Sequence, residues 1–306
     1  MRDSFIKELE RLTIIHPEII LLTGDLGFGV LDNYIKNFPD NYINVGVAEQ
    51  NMSGIAAGLA FEGRVVFTYS IANFPTLRCL EQIRNDICYH DLNVNIVCIG
   101  AGFSYGALGM SHHATEDISI LRSLPGMQVV SPSGNFEAIH ATRAIVKEKG
   151  PSYLRLDKSY GDDFSEIKFN IGKARVLDKS NDCIIFVTGG ILEEVQKAKI
   201  KLKKLNICAG IISMHTIKPL DGDIILEAAT KTNYFISVEE HNIIGGLGSA
   251  IGEFMLDNNL ANTKLLRIGL DDQYSSVVGS QKYLRKEYKM DSQTIFQRII
   301  EFVRKI

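Results

Sequence analysis

The sequence predicts an α/β protein of two domains, each a mainly parallel sheet flanked by helices. Three observations carry that prediction. Short apolar runs of strand length alternate with segments of helical period. The connections between them are short, and parallel strands require helical crossovers. The alternation breaks once, at the polar, turn-rich stretch "DKSYGDDFSEIKFNIGKA", and then restarts. The first domain is placed at residues 1–157, a linker at 158–172 and a second, smaller domain at 173–306.

Each element has a local reason. "MRDSFIKELERL" is an amphipathic helix and has no apolar signal-peptide region. "EIILLTGDLG" is a buried strand that ends in a glycine-rich turn. "GRVVFTYS", "NVNIVCIGAG", "MQVVSPSG" and "PSYLRLD" supply further strands. Helical patterns over Ala48–Phe61, Thr76–His90, Thr115–Leu124 and Phe136–Lys149 lie between them. After the linker, "DCIIFVTGG", "NICAGIISMH", "NYFISVEEH" and "KLLRIGL" read as strands. Helices are expected through "LEEVQKAKIKLKKL", near Gly222–Thr230 and after "GGLG". The last, "MDSQTIFQRIIEFVRKI", has Asp291 as its N-cap and a basic last turn.

Composition narrows the function. The chain has 306 residues, 45% hydrophobic and 23% charged, with a net charge of -3. That balance gives no nucleic-acid or membrane-binding surface, and no apolar run reaches spanning length. Five cysteines without CxxC spacing read as reduced core thiols of a cytoplasmic protein. "TGDLGFG" and "GGLGSAIGEF" are glycine-rich turns, but neither is a G-x-G-x-x-G fingerprint or a P-loop.

Two features point to a site. In "YINVGVAEQNMSGIAAGLAFEGRVVF", Glu49 opens a small-and-apolar helix whose surroundings suggest burial. In "GAGFSYGALGMSHHATEDISILRSLPGM", a long glycine loop leaves the C-terminal end of a strand, where open α/β sheets place ligands. His112 and His113 end that loop. Adjacent histidines cannot readily face one metal, so in isolation they read as surface or packing residues as readily as site residues.

Taken in order, "GDLG", "NVGVAEQNMSGIAAGLA", "LGMSHHATEDISILRSLPGMQVVSPS", "YLRLDK" and "SVEEHNIIGGLGSAIGEF" resemble the C-terminal two-thirds of the transketolase family. That family includes transketolase, deoxyxylulose-phosphate synthase and the β chains of 2-oxoacid dehydrogenase decarboxylase components. The resemblance implies a pyrimidine-binding domain followed by a transketolase C-terminal domain. It implies that Glu49 hydrogen-bonds the aminopyrimidine of thiamine diphosphate, where a buried carboxyl can share a proton with a ring nitrogen. It offers Tyr69 and Phe74 as aromatics stacking on the pyrimidine and Asp25 as an acid on the thiazolium side. His112 becomes a substrate-facing histidine for hydrogen bonding or proton transfer, with His113 beside it. Arg155 matches an arginine that grips substrate phosphate. The expected alternative for Arg155 is an interdomain ion pair with linker acids such as Asp162 or Asp163.

The sequence departs from the family pattern in two places. Leu108 stands where the "G-x-D-G-P-T-H" loop has its Asp, and Gly100 stands near a second family histidine. The motif that anchors Mg²⁺ and diphosphate, G-D-G followed by Asn-Asn, is also missing from the chain. The resemblance therefore implies a subunit without metal ligands of its own. An N-terminal transketolase-like partner would bring the diphosphate and Mg²⁺ domain, thiamine diphosphate would be shared, and homodimerisation would give a heterotetramer. The expected activity is transfer of a two-carbon ketol unit between sugars or sugar phosphates. A 2-oxoacid dehydrogenase β chain and a non-catalytic assembly subunit are the alternatives.

Overall fold

The computed structural model describes residues 1–159 and 168–304. Most of the expected linker, with Asp162 and Asp163, lies outside the described residues. In the first half, α1 (Arg2–Ile15) precedes β1 (Ile19–Thr23), α2 (Asp32–Asn37), β2 (Tyr42–Asn44), α3 (Glu49–Phe61) and β3 (Val65–Ile71). The helix expected over Thr76–His90 is instead a short α4 (Leu80–Gln82) that runs into a π-helical turn, Ile83–Cys88. Then come β4 (Val94–Ile99), α5 (Asp117–Arg122), β5 (Gln128–Val130), α6 (Asn135–Lys147) and β6 (Ser152–Leu156).

The second half holds β7 (Arg175–Asp178), β8 (Cys183–Thr188), α7 (Leu192–Lys203), β9 (Ala209–Ser213) and β10 (Thr216–Lys218). It continues with α8 (Gly222–Ala229), β11 (Tyr234–Asn242), α9 (Leu247–Asp257), β12 (Lys264–Leu270), α10 (Gln281–Glu287) and α11 (Ser292–Arg304). Asp291 serves α11 as expected: Gln293 N–H and the Thr294 hydroxyl donate to its carboxylate.

The strands form two sheets, ordered β10-β5-β6-β4-β3-β1-β2 and β12-β11-β8-β9-β7. Pairing is parallel except at two edges, β10 on β5 and β7 on β9. β2, β7 and β10 were not legible as strands, because none has an apolar run long enough to stand out. β10 also carries a tertiary surprise. It follows the linker in sequence yet completes the edge of the first sheet, with Thr216 opposite Val130.

Burial explains the layering. β1, β4, β6, β8 and β9 are buried along their whole length, as expected of parallel strands covered on both faces. On the first sheet, Phe67, Tyr69 and Val97 pack under α6 and under α1, which contributes Phe5. Met52, Ala56, Val66 and Ile96 pack on the α3 side, in a core that continues into the second domain through Phe186 and Ile212. A third core, with Val187, Ile236 and Ile295, lies beneath α7 and α11. β6, β4, β3 and β1 are adjacent and parallel, so their C-terminal ends share one edge of the sheet.

Candidate active site

That edge gathers the site. Glu49 is the first residue of α3 and is only 3% exposed. It packs beside Gly24 at the end of β1, where a Cβ would stand 3.5 Å from its Cγ. Glu49 Oε2 accepts a hydrogen bond from Arg78 Nη1 at 2.8 Å. Arg78 lies in the loop after β3, its guanidinium 5.2 Å from the centre of the Phe74 ring. The other neighbour of Phe74 is His112, edge-on with centroids 5.2 Å apart. The Ser111 hydroxyl is 3.0 Å from His112 Nδ1. Glu49, Phe74 and His112, expected from sequence, thus meet in one cluster, linked by Arg78. Sequence reasoning missed Arg78. Its only signal was a lone cation within the otherwise uncharged "NFPTLRCL".

The remaining expected residues separate. Asp25 sits one residue beyond Gly24 with a left-handed backbone (φ 57°), held by reciprocal bonds to the Asn44 side chain. It is exposed at the rim of the site. Tyr69 lies away from this cluster. β3 turns it to the opposite face of the sheet, where it stacks on Phe5 of α1 and is 3% exposed. The alternation of side chains along a strand decides this. His113 is likewise turned inward. It is buried, edge-on to Phe103, with Nε2 3.4 Å from the Gly106 carbonyl. Burial holds its imidazole below the usual value. It packs inside the loop rather than in the cluster around Phe74.

Arg155 is the main correction. Its side chain is 2% exposed, and its Nε and Nη2 are engaged. Nε bonds Asp117 Oδ2 at 2.6 Å, and Nη2 reaches the carbonyls of Ala114 (2.7 Å) and Glu240 (3.1 Å). The Tyr153 hydroxyl also donates to Asp117. Burial, the largest single effect, would raise the Asp117 carboxyl, but the charge of Arg155, the neighbouring His241 and the hydrogen bonds from Arg155 and Tyr153 together hold it below its ordinary value. Arg155 therefore ties the first sheet to β11 through a sealed ion pair, and among the described residues its acidic partner is Asp117; Asp162 and Asp163 lie outside the described residues.

Around that pair lies a buried polar seam. His241 stands between Asp117 and Glu239, at 3.8 and 3.9 Å. Glu239 accepts from Leu247 and Gly248 N–H at the start of α9, at 2.7 and 2.9 Å. Burial pushes Glu239 up to about 7 and His241 down to about 4.

The loop departures also have physical reasons. Gly100 has φ 102°, and a Cβ there would run into the Tyr105 ring, so a histidine does not fit. Leu108 is 54% exposed on the loop that leads to His112. Beyond β6, Lys158 is exposed with its Nζ 4.5 Å from the Tyr105 ring centre. With Arg2, Asn135, Asp157 and Tyr105 it lines a cavity of about 240 Å³ beside the start of α1, separate from the residues of the cluster.

These residues fit one end of a thiamine cofactor. A buried carboxylate, an aromatic face and a half-buried imidazole suit its pyrimidine end. Among the described residues, no group of three or more His, Cys, Asp or Glu side chains could hold a metal ion.

Two stretches of the chain match known protein families. Residues 1–161 match the family "Transketolase, pyrimidine binding domain", and residues 172–295 match "Transketolase, C-terminal domain". A putative transketolase C-terminal section from Methanocaldococcus jannaschii is 38% identical over 100% of this chain and 96% of its own length. One of the subunits of an apulose-4-phosphate transketolase from Phocaeicola vulgatus is 33% identical over 99% of this chain and 97% of its own. The solved structure of a split-gene transketolase, described as an inactive beta4 tetramer, superposes with a TM-score of 0.91. It has 31% identity and covers 99% of this chain and 97% of that one. With both domains matched along most of its length, the chain belongs to the transketolase family.

Proposed function

We propose that this transketolase-family chain is the pyrimidine-binding subunit of a split, thiamine-diphosphate-dependent transketolase that transfers a two-carbon ketol unit between sugar phosphates. The observation that carries this reading is the buried Glu49 carboxylate, placed beside Phe74 and His112 at the sheet edge. Near-complete coverage of relatives named as a C-terminal section and as one subunit of a transketolase supports the split arrangement. The partner chain brings the diphosphate and Mg²⁺ ligands, and the cofactor is shared across the contact.

When bound, thiamine diphosphate supplies the carbanion chemistry, and the protein orients it and tunes its electronics. Glu49 holds the proton at the pyrimidine ring nitrogen. Phe74 packs on the ring. His112, half-buried and edge-on to Phe74, donates to a substrate oxygen. With Arg155 sealed away, the substrate's anionic end falls to Lys158, the exposed cation at the end of β6. Homodimerisation into a heterotetramer is supported by the outer surface around α3. There Val47 and Phe61 are exposed, and Gly54 and Gly58 open onto free space. The free thiols suit a cytoplasmic setting.

Coexpression with a diphosphate-domain partner tests the reading. The copurified complex, given thiamine diphosphate and Mg²⁺, should transfer a two-carbon unit from a phosphorylated ketose to an aldose. A stable complex that binds the cofactor yet transfers nothing from any ketose phosphate overturns it.

A further inference from the structure

Glu49 is presented asymmetrically. Oε2 is held by Arg78 at 2.8 Å, whereas no hydrogen bond among the described residues reaches Oε1. Nor is Oε1 sealed in the core as an unpartnered buried oxygen. One oxygen is anchored and the other is open to a ligand.

The anchor is itself constrained. Arg78 is half-exposed, so burial alone does not immobilise it. Its guanidinium lies over the Phe74 ring at 5.2 Å, a cation–π distance, and the same ring meets His112 at 5.2 Å. A planar guanidinium that both stacks and hydrogen-bonds has little rotational freedom, unlike a lysine ammonium on a flexible stem. Arg78 thereby couples the orientation of the carboxylate to that of the aromatic ring.

The geometry points to Arg78 as a positioning residue. It fixes the Glu49 carboxylate so that Oε1 faces the pyrimidine nitrogen, and it sets the tilt of Phe74 against the same ring. This rests on the functional reading above. The competing explanation is that Arg78 merely neutralises a buried charge. The two differ for lysine, which keeps the charge but loses the planar fork and the stack.

The test uses the complex of this chain with its partner, loaded with thiamine diphosphate and Mg²⁺. It reads hydrogen–deuterium exchange at C2 of the bound cofactor by quenched-flow NMR, with cofactor affinity by calorimetry and the melting temperature of the complex. Misplacing a catalytic group by about 1 Å costs up to a hundredfold. Arg78→Gln and Arg78→Lys should therefore each slow exchange at saturating cofactor, on the order of tenfold to a hundredfold. Cofactor affinity and melting temperature should change little. Wild-type exchange in Arg78→Lys reduces Arg78 to a counter-charge and overturns the inference. Exchange that falls only in proportion to the folded fraction overturns it too. If Arg78→Gln does not fold, Arg78→Lys decides. Glu49→Gln separates the two levels of the argument. Wild-type exchange in that variant overturns the functional reading itself. Slow exchange in Glu49→Gln with wild-type exchange in both Arg78 variants overturns only the role of Arg78.

Discussion

Arg155 on β6 and Asp117 at the start of α5 form an ion pair sealed from solvent, with Nε and Oδ2 2.6 Å apart. The same guanidinium reaches the Glu240 carbonyl on β11, so the pair joins the two domains. Removing one member of such a pair leaves a buried charge uncompensated and costs about 3–5 kcal/mol. Arg155→Met should lower the melting temperature and reduce activity toward all substrates alike. Calorimetry together with kcat/KM for phosphorylated and unphosphorylated sugars checks this. A selective rise in KM for phosphorylated sugars at unchanged stability contradicts it.

Lys158→Ala should show the complementary pattern. Losing an exposed cation that meets a phosphate weakens a charge-assisted hydrogen bond of about 1.5–3 kcal/mol. KM for phosphorylated sugars should rise roughly tenfold to a hundredfold, with kcat and melting temperature nearly unchanged. Equal effects on phosphorylated and unphosphorylated sugars remove Lys158 from the phosphate site.

The two aromatics first offered for the pyrimidine should separate cleanly. Tyr69→Phe lies on the far face of the sheet and should leave cofactor affinity unchanged. Phe74→Ala should weaken it about threefold to tenfold, the scale of one aromatic contact. Calorimetric titration of the complex with thiamine diphosphate and Mg²⁺ distinguishes them. Weakened binding in Tyr69→Phe, with wild-type binding in Phe74→Ala, reverses the assignment.

His241 should contribute to acid unfolding. Burial holds its imidazole down to about 4, against an ordinary value of 6.5, so the native protein keeps it neutral. Its contribution is complete above pH 6.5 and is lost as pH falls toward 4, on the order of 3 kcal/mol. Glu239 works in the opposite sense. Raised to about 7 from 4.5, its contribution is complete below 4.5 and is lost as pH rises through about 7. His241→Gln should therefore flatten the loss of stability between pH 6.5 and 4 in denaturant titrations. Unchanged acid steepness in that variant rules His241 out.

The chain without its partner should not take up the cofactor tightly. The charged diphosphate needs its metal, and the proposed function places the ligands of both on the partner chain. Calorimetry of the isolated chain with Mg²⁺ and thiamine diphosphate should show no saturation in the micromolar range, whereas the complex should saturate with one cofactor per chain. Micromolar binding by the isolated chain refutes the shared site.

The sequence by itself determined the two-domain α/β architecture, because buried parallel strands are continuous apolar runs and their crossovers are periodic. It also located Glu49, whose carboxylate opens an apolar helix, and the loop that carries His112. Residue type and local spacing suffice for the expected burial of Glu49 and for the loop, whereas the roles of Glu49 and His112 rest on the family resemblance. Three edge strands were not legible. β2, β7 and β10 are short, and β10 gains its place only by pairing with a strand some 86 residues earlier, Thr216 against Val130. Tertiary structure alone decided which way side chains point. Tyr69 and Phe74 are five residues apart, yet one stacks in the core on Phe5 and the other faces His112. Arg155 and Lys158 are three apart, yet one is sealed and the other is exposed. A motif can match a family position without disclosing its partner. Asp117 lies 38 residues before Arg155 and Glu240 lies 85 after it, and only the packed sheets bring the three together.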